Sequence, residues 1–319
     1  VRVHFWGTRG SLPVAARADQ IRAKLRAALV AASGREFADA AAADAFLDTQ
    51  DFAATAGYGG ATSCVEIDAG DGAFTVCDMG SGLREFGLDA LARIRGGHPR
   101  VFHIFLSHLH WDHIMGFPFF APAFDPEATI VIHSGHRDAE EALRRQQEEI
   151  SFPVAFDWLR ANISFVHMTP GLSYRIGGKM VTLVEQFHSH HSYGYRFENG
   201  GRAVVYSTDS EHKADTMDAE ERFEAFFADA DLVVCDTMYS LADTVSLKAD
   251  WGHSSSLVAV DLCRVAAAKR LALFHHEPTY SDAQIEAMHR DAVAYEGLTR
   301  GDAGGLEVVC AYDGLEITV

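Results

Sequence analysis

The run Val101–Leu106 is apolar apart from His103, and it leads into Ser107-His108-Leu109-His110-Trp111-Asp112-His113. Four side chains able to bind a metal ion therefore fall within six positions, directly behind what reads as a buried strand. Imidazole and carboxylate both suit zinc and similar ions. On an extended loop His108 and His110 point to the same side, and Asp112 and His113, past a bend, can address a second ion. The chain holds 17 histidines, so a chance cluster is the competing reading. The setting argues against chance, because a strand runs in and Gly116 and Pro118 turn the chain out. Strand ends are also where a rigid scaffold presents reactive groups.

Other strand-like runs recur at Cys64–Ile67, Ala73–Asp78, Thr129–His133, Ile163–His167, Met180–Phe187, Gly194–Phe197, Ala203–Tyr206, Leu232–Cys235, Leu271–Phe274, Leu306–Cys310 and Leu315–Thr318. An opening strand ends at Gly7-Thr8-Arg9-Gly10. Asn199-Gly200-Gly201 and Asp313-Gly314 are turn signals, the first expected to join two short strands and the second the last two strands. Helices are expected near 84–95, 137–149, 218–229, 255–269 and 282–295, the last capped by Ser281 with Gln284 three positions on. Residues 15–56 differ: they are Ala-rich, with Ile21, Leu25 and Leu29 four apart, and read as a helical insertion that packs on the surface or serves as a lid or an oligomer arm; a homodimer is the assembly considered for the chain. With no repeat and no low-complexity linker, residues 1–319 are expected to form one domain of two packed sheets with helices outside.

Composition excludes some functions. No run of eighteen apolar residues appears, so no membrane-spanning helix is expected, and Val1-Arg2-Val3-His4-Phe5-Trp6 lacks the order of a secretory signal. A cytoplasmic location is the expectation. The five cysteines are scattered without a C-x-x-C pair and read as buried thiols. A formal charge of −18 repels polyanions and argues against an extended nucleic-acid footprint. It leaves room for a small phosphate substrate, since bound cations would dominate the local potential.

The segment His108-x-His110-x-Asp112-His113 matches the H-x-H-x-D-H motif of the metallo-β-lactamase superfamily, and the resemblance runs through nearly the whole chain outside 15–56. It implies a four-layer αββα sandwich with two divalent metal ions at one edge between the sheets. Zinc is the first candidate, and manganese, nickel and iron suit the same ligands. In phosphodiesterase-like members the third histidine of the first site stands five residues before a Tyr-Gly-Tyr-Arg stretch, which here points to His188, with His190 and His191 as rivals. The bridging aspartate resembles Asp209, in Ser207-Thr-Asp209-Ser-Glu211, where a carboxylate at the end of a buried strand needs a partner. The last ligand resembles His275, with His276 turned the other way by strand alternation. The resemblance therefore groups His108, His110 and His188 around one metal and Asp112, His113 and His275 around the other, with Asp209 between them.

Trp251-Gly252-His253-Ser254-Ser255 resembles an element of ribonuclease Z and cyclic phosphodiesterases whose histidine assists the leaving group, with Glu211 as a candidate orienting carboxylate and a loop histidine before a helix as the plainer reading. Asp78, in Asp78-Met-Gly80-Ser81-Gly82, resembles the superfamily's Asp-x-Gly-x-Gly loop and reads as support for the ligand loop. Arg9 and Ser11 are placed either at the mouth of the site or on a solvent-facing turn. The expected activity is hydrolysis of a small or cyclic phosphodiester, with Asp112 and His253 as catalytic residues. The alternatives are a tRNA 3′-end endonuclease, a lactone or ester hydrolase, and a metal-dependent sensor or redox protein.

Overall fold

In β4, Val101–Leu106, Phe102, Ile104 and Leu106 sit in one apolar cluster while Phe105 sits in another. That period-two split is what makes layers, because successive strand side chains leave opposite faces. It recurs in β11, Leu232–Asp236, and β12, Arg270–Phe274. There Leu232, Val234, Ala272 and Phe274 join the cluster of Phe105, and Val233, Cys235, Leu271 and Leu273 join a third. The computed structural model describes residues 1–212, 217–240, 252–301 and 304–319.

Two seven-stranded sheets result. The first runs β14-β1-β2-β3-β4-β5-β6, comprising Glu316–Thr318, Arg2–Gly7, Cys64–Asp68, Phe74–Cys77, β4, Thr129–Ser134 and Asn162–His167. The second runs β13-β12-β11-β10-β9-β8-β7, comprising Glu307–Cys310, β12, β11, Arg202–Ser207, Ser192–Asn199, Lys179–Gln186 and Ser173–Ile176. The middle cluster joins them face to face. Helices α4 (Leu83–Arg95) and α6 (Ala139–Gln146) cover the first sheet. Helices α7 (Met217–Phe227), α8 (Ser256–Val265) and α9 (Asp282–Thr299) cover the second. This is the αββα sandwich. Among the described residues the remaining α-helices are α1 (Ala18–Ala31), α2 (Ala40–Leu47) and α3 (Phe52–Thr55), between β1 and β2, and the single turn α5 (Trp111–Ile114).

Strands β3 to β6 are mutually parallel, as are β10 to β13. Their carboxyl ends therefore gather at one edge of each sheet, the usual place for a site in α/β folds. Three residues just past strand ends, Asp78, Asp209 and His275, have left-handed backbones with φ of 62°, 48° and 61°. Each such position costs of order 1 kcal/mol or more and turns the chain sharply out of its sheet.

The hairpin expected at Asn199-Gly200-Gly201 forms, linking β9 and β10 with positive φ at both glycines. The Asp313-Gly314 turn does not make a hairpin. It carries the chain from β13 in the second sheet to β14, which pairs with β1 in the first. The cause lies in the half-buried Asp313, whose carboxylate accepts from Gly60 N, Ala61 N and the Thr8 hydroxyl. Strand β7, Ser-Tyr-Arg-Ile, carries no apolar run, because an edge strand alternates between exposed and half-buried positions. All five cysteines are buried and unpaired. No described helix is long and apolar enough to cross a membrane.

Candidate metal centre

Asp78 fixes the ligand loop. Its carboxylate accepts from Ser107 N and Ser107 Oγ, both at 2.7 Å, from the Tyr206 hydroxyl at 2.7 Å and from His113 Nδ1 at 2.8 Å. A buried carboxylate on Nδ1 keeps the proton there and turns the Nε2 lone pair of His113 inward. Gly80 and Gly116 let the backbones close: a Cβ on Gly116 would lie 2.0 Å from the Gly80 carbonyl oxygen.

The seven side chains converge in two groups. In the first, His188 Nε2 lies 3.1 Å from His110 Nδ1, and Asp209 Oδ2 lies 3.6 Å from His108 Nε2 and 3.7 Å from His188 Nε2. In the second, His113 Nε2 lies 3.2 Å from Asp112 Oδ2 and 3.3 Å from His275 Nε2, which is itself 3.3 Å from Asp112 Oδ2. Asp209 Oδ1 stands 3.2 Å from both His113 Nε2 and His275 Nε2. One carboxylate thus offers a different oxygen to each group.

This arrangement fits divalent cations. A tetrahedron with bonds of about 2.0–2.1 Å has edges of about 3.3–3.4 Å, within the 3.1–3.7 Å that these donor pairs span. His108 Nε2 is buried without a hydrogen-bond partner, and such an orphan is costly unless something binds it. Burial and the neighbouring His113 hold His108 neutral, with its pKa well below the ordinary value. Burial also opposes a charge on His113, yet Asp209, Asp112 and Asp78 override it and raise its pKa well above the ordinary value. The pocket carries surplus negative charge that cations can balance.

Next to both groups stands His253, its ring 5.2 Å from those of His188 and His275. Its Nδ1 lies 2.7 Å from Asp236 Oδ2, at the end of β11. Burial discourages a charged imidazole, but Asp236, Asp209 and Asp112 lift its pKa to about 9. Bound cations would push it back down. The loop is pinned by Ser254, whose hydroxyl donates to Ser210 O and accepts from His212 N, tying His253 to the loop of Asp209.

A profile describing a beta-lactamase superfamily domain matches residues 67–276, more than half of the chain. The chain belongs to the metallo-β-lactamase superfamily. Among its relatives is the ribonuclease Z of Haloarcula marismortui, 26% identical over a 288-residue alignment that covers 77% of this chain and 88% of that protein. The metallo-β-lactamase fold protein YhfI from Bacillus subtilis superposes with a TM-score of 0.61 at 19% identity, covering 99% of this chain and 98% of YhfI. The short form of human tRNase Z gives 0.60 at 17%, covering 100% and 99%.

In this metallo-β-lactamase chain the rival histidines stand apart from the cluster. His191 is exposed with its Nδ1 2.6 Å from Glu185 Oε1, and His276 Nε2–H donates to Ala311 O at 2.7 Å. His190, like His191, adopts a left-handed backbone in the turn that follows His188. Ser11 lies at the site, its N–H donating to Asp112 Oδ2 at 2.7 Å. Arg9 does not reach the mouth; it is buried and donates to the carbonyls of Gly59, Glu277 and Tyr280. The carboxylate on His253 Nδ1 is Asp236, whereas Glu211 accepts from Gly252 N. Trp251 lies outside the described residues. Sequence reasoning misses Asp236, although it shows the same signal as Asp209, a carboxylate closing an apolar strand.

Proposed function

We propose that this protein is a binuclear metal-dependent hydrolase acting on a small or cyclic phosphodiester, such as a 3′,5′-cyclic nucleotide or a cyclic sugar phosphate. His108, His110 and His188 would hold one cation and Asp112, His113 and His275 the other, with Asp209 shared. Zinc suits this mixture of imidazole and carboxylate, and manganese, nickel and iron compete for it. Two divalent cations held there would polarise a phosphoryl oxygen and lower the pKa of water. The Asp112 carboxylate, anchored by the Ser11 N–H, orients the attacking water through a hydrogen bond. His253, braced by Asp236 on Nδ1, donates its Nε2 proton to the departing alkoxide.

The observation that carries the phosphodiester reading is the His253–Asp236 pair, 2.7 Å apart and packed against ligands of both groups. An acid braced in that place suits a poor alkoxide leaving group. The deciding experiment combines elemental analysis with a panel of bis-p-nitrophenyl phosphate, cyclic nucleotides, a precursor tRNA, a lactone and nitrocefin. Turnover of the small phosphodiesters is expected. Hydrolysis of the lactone or nitrocefin with no phosphodiester turned over would overturn the proposal. Cleavage of the precursor tRNA alone would favour the second reading, which the ribonuclease Z relative supports and the charge of −18 opposes.

Asp78 touches no substrate in this scheme, so its loss should act through metal affinity. Asp78→Asn removes the charge that orients His113 while keeping the size of the side chain. Metal affinity is expected to fall roughly 10–100-fold, as for other outer partners of ligating histidines. Competition with a chelator measures it, and excess metal should restore most of the turnover.

A further inference from the structure

Helix α1 is fourteen residues long and none of them is buried. Isolated helices of that length are marginal in water, so a packed partner is the usual source of their stability. Its links to the body are few: Lys24 Nζ donates to the Ala56 carbonyl and to Asp282 Oδ2. The stripe Ile21, Leu25, Leu29 and Val30 is left 48%, 60%, 73% and 70% exposed.

Charge around the stripe departs from that of the chain. Residues 17–35 carry five bases, Arg17, Arg22, Lys24, Arg26 and Arg35, against the single acid Asp19, in a protein with 45 acids and 27 bases. Among the described residues Arg22, Arg26 and Arg35 have no acidic partner, and Arg35 instead lies over the Phe46 ring. The next stretch is the opposite. Residues 36–51 carry Glu36, Asp39, Asp44, Asp48 and Asp51 and no base, and all five acids are exposed. Helix α2 is anchored by the buried Phe46, whose ring lies tilted against Phe37 at 5.5 Å, leaving Ala40, Ala41, Asp44 and Ala45 exposed.

We infer that α1 and α2 form a self-complementary dimerisation arm, in which the basic apolar face of α1 docks on the acidic, alanine-lined face of α2 from a second copy of the chain. A two-fold axis makes this contact twice, since each copy supplies both halves. Opposite charges fix the register, and the leucine stripe supplies the apolar burial. The rest of the molecule is strongly acidic, which disfavours an anionic membrane or RNA as the occupant. Among the described residues, nothing in α1 or α2 belongs to the groups that could hold a metal ion, and this inference does not depend on the proposed activity.

The test is the mass in solution by sedimentation and light scattering. The wild type is expected at twice the 34.8 kDa chain mass. Leu25→Glu with Leu29→Glu should raise the dimer dissociation constant by a factor on the order of 10²–10³. Arg22→Glu with Arg26→Glu, and separately Asp44→Lys with Asp48→Lys, should each give monomers. An equal mixture of those two charge variants should recover the dimer, which unfolded arms could not do. A wild type that stays monomeric at all concentrations overturns the inference. So does a dimer whose dissociation constant these variants leave unchanged, and so does an α1 that captures anionic vesicles or RNA in place of its own copy.

Discussion

Asp209→Ala is expected to empty both metal positions at once and to lower turnover by a factor on the order of 10²–10⁴. Asp209 Oδ2 faces His108 and His188, while Oδ1 faces His113 and His275 at 3.2 Å each. Burial alone would favour its protonated form, but His275, His113 and His108 hold its pKa well below the ordinary carboxylate range. Removing one partner from a buried charged cluster costs about 3–5 kcal/mol, and a barrier raised by that amount slows turnover to the same extent. His110→Ala provides the contrast, since it should deplete one position and leave the other. Asp209→Asn separates charge from shape, because asparagine tolerates the left-handed backbone at φ 48° but does not neutralise two cations. Elemental analysis after gel filtration reads the result. Two equivalents of metal retained by Asp209→Ala would show that the carboxylate does not bridge.

Much of this architecture is legible because strand periodicity and ligand chemistry coincide. His108, Asp209 and His275 each follow an apolar run, and parallel pairing carries those runs to one edge. The four layers follow from alternation within strands such as β11 and β12, where each face supplies a separate core. Asp236 is hidden for a related reason. Its position closing β11 is visible in the sequence, but its meaning depends on the loop at His253 folding back across β11, a contact between residues 17 apart that no local pattern records. The route of β14 is equally hidden, because Asp313-Gly314 looks like any hairpin turn until the backbone donors of Gly60 and Ala61 are in place. In α1 the spacing of Ile21, Leu25 and Leu29 announces a stripe and gives no sign of what meets it.

His253→Ala is expected to lower kcat on an alkyl phosphodiester by roughly 10²–10⁴ while both metals stay bound. The ring contributes no donor to either ligand trio centred on the H-x-H-x-D-H loop, although it forms a third close cluster with Asp209 and His275, and it packs 5.2 Å from His188 and from His275. Its loss should therefore change chemistry more than occupancy. The size of the effect should follow the leaving group: p-nitrophenolate departs without a proton, so bis-p-nitrophenyl phosphate should lose far less than a cyclic nucleotide whose alkoxide needs one. Asp236→Asn should fall between wild type and His253→Ala on the cyclic substrate, since it leaves the ring in place and removes the charge at 2.7 Å that favours its protonation. A loss equal for both leaving groups would point to a binding role for His253 and away from proton donation. Full activity in His253→Ala would remove the main reason for preferring phosphodiesters, while leaving the metal centre and the superfamily assignment untouched.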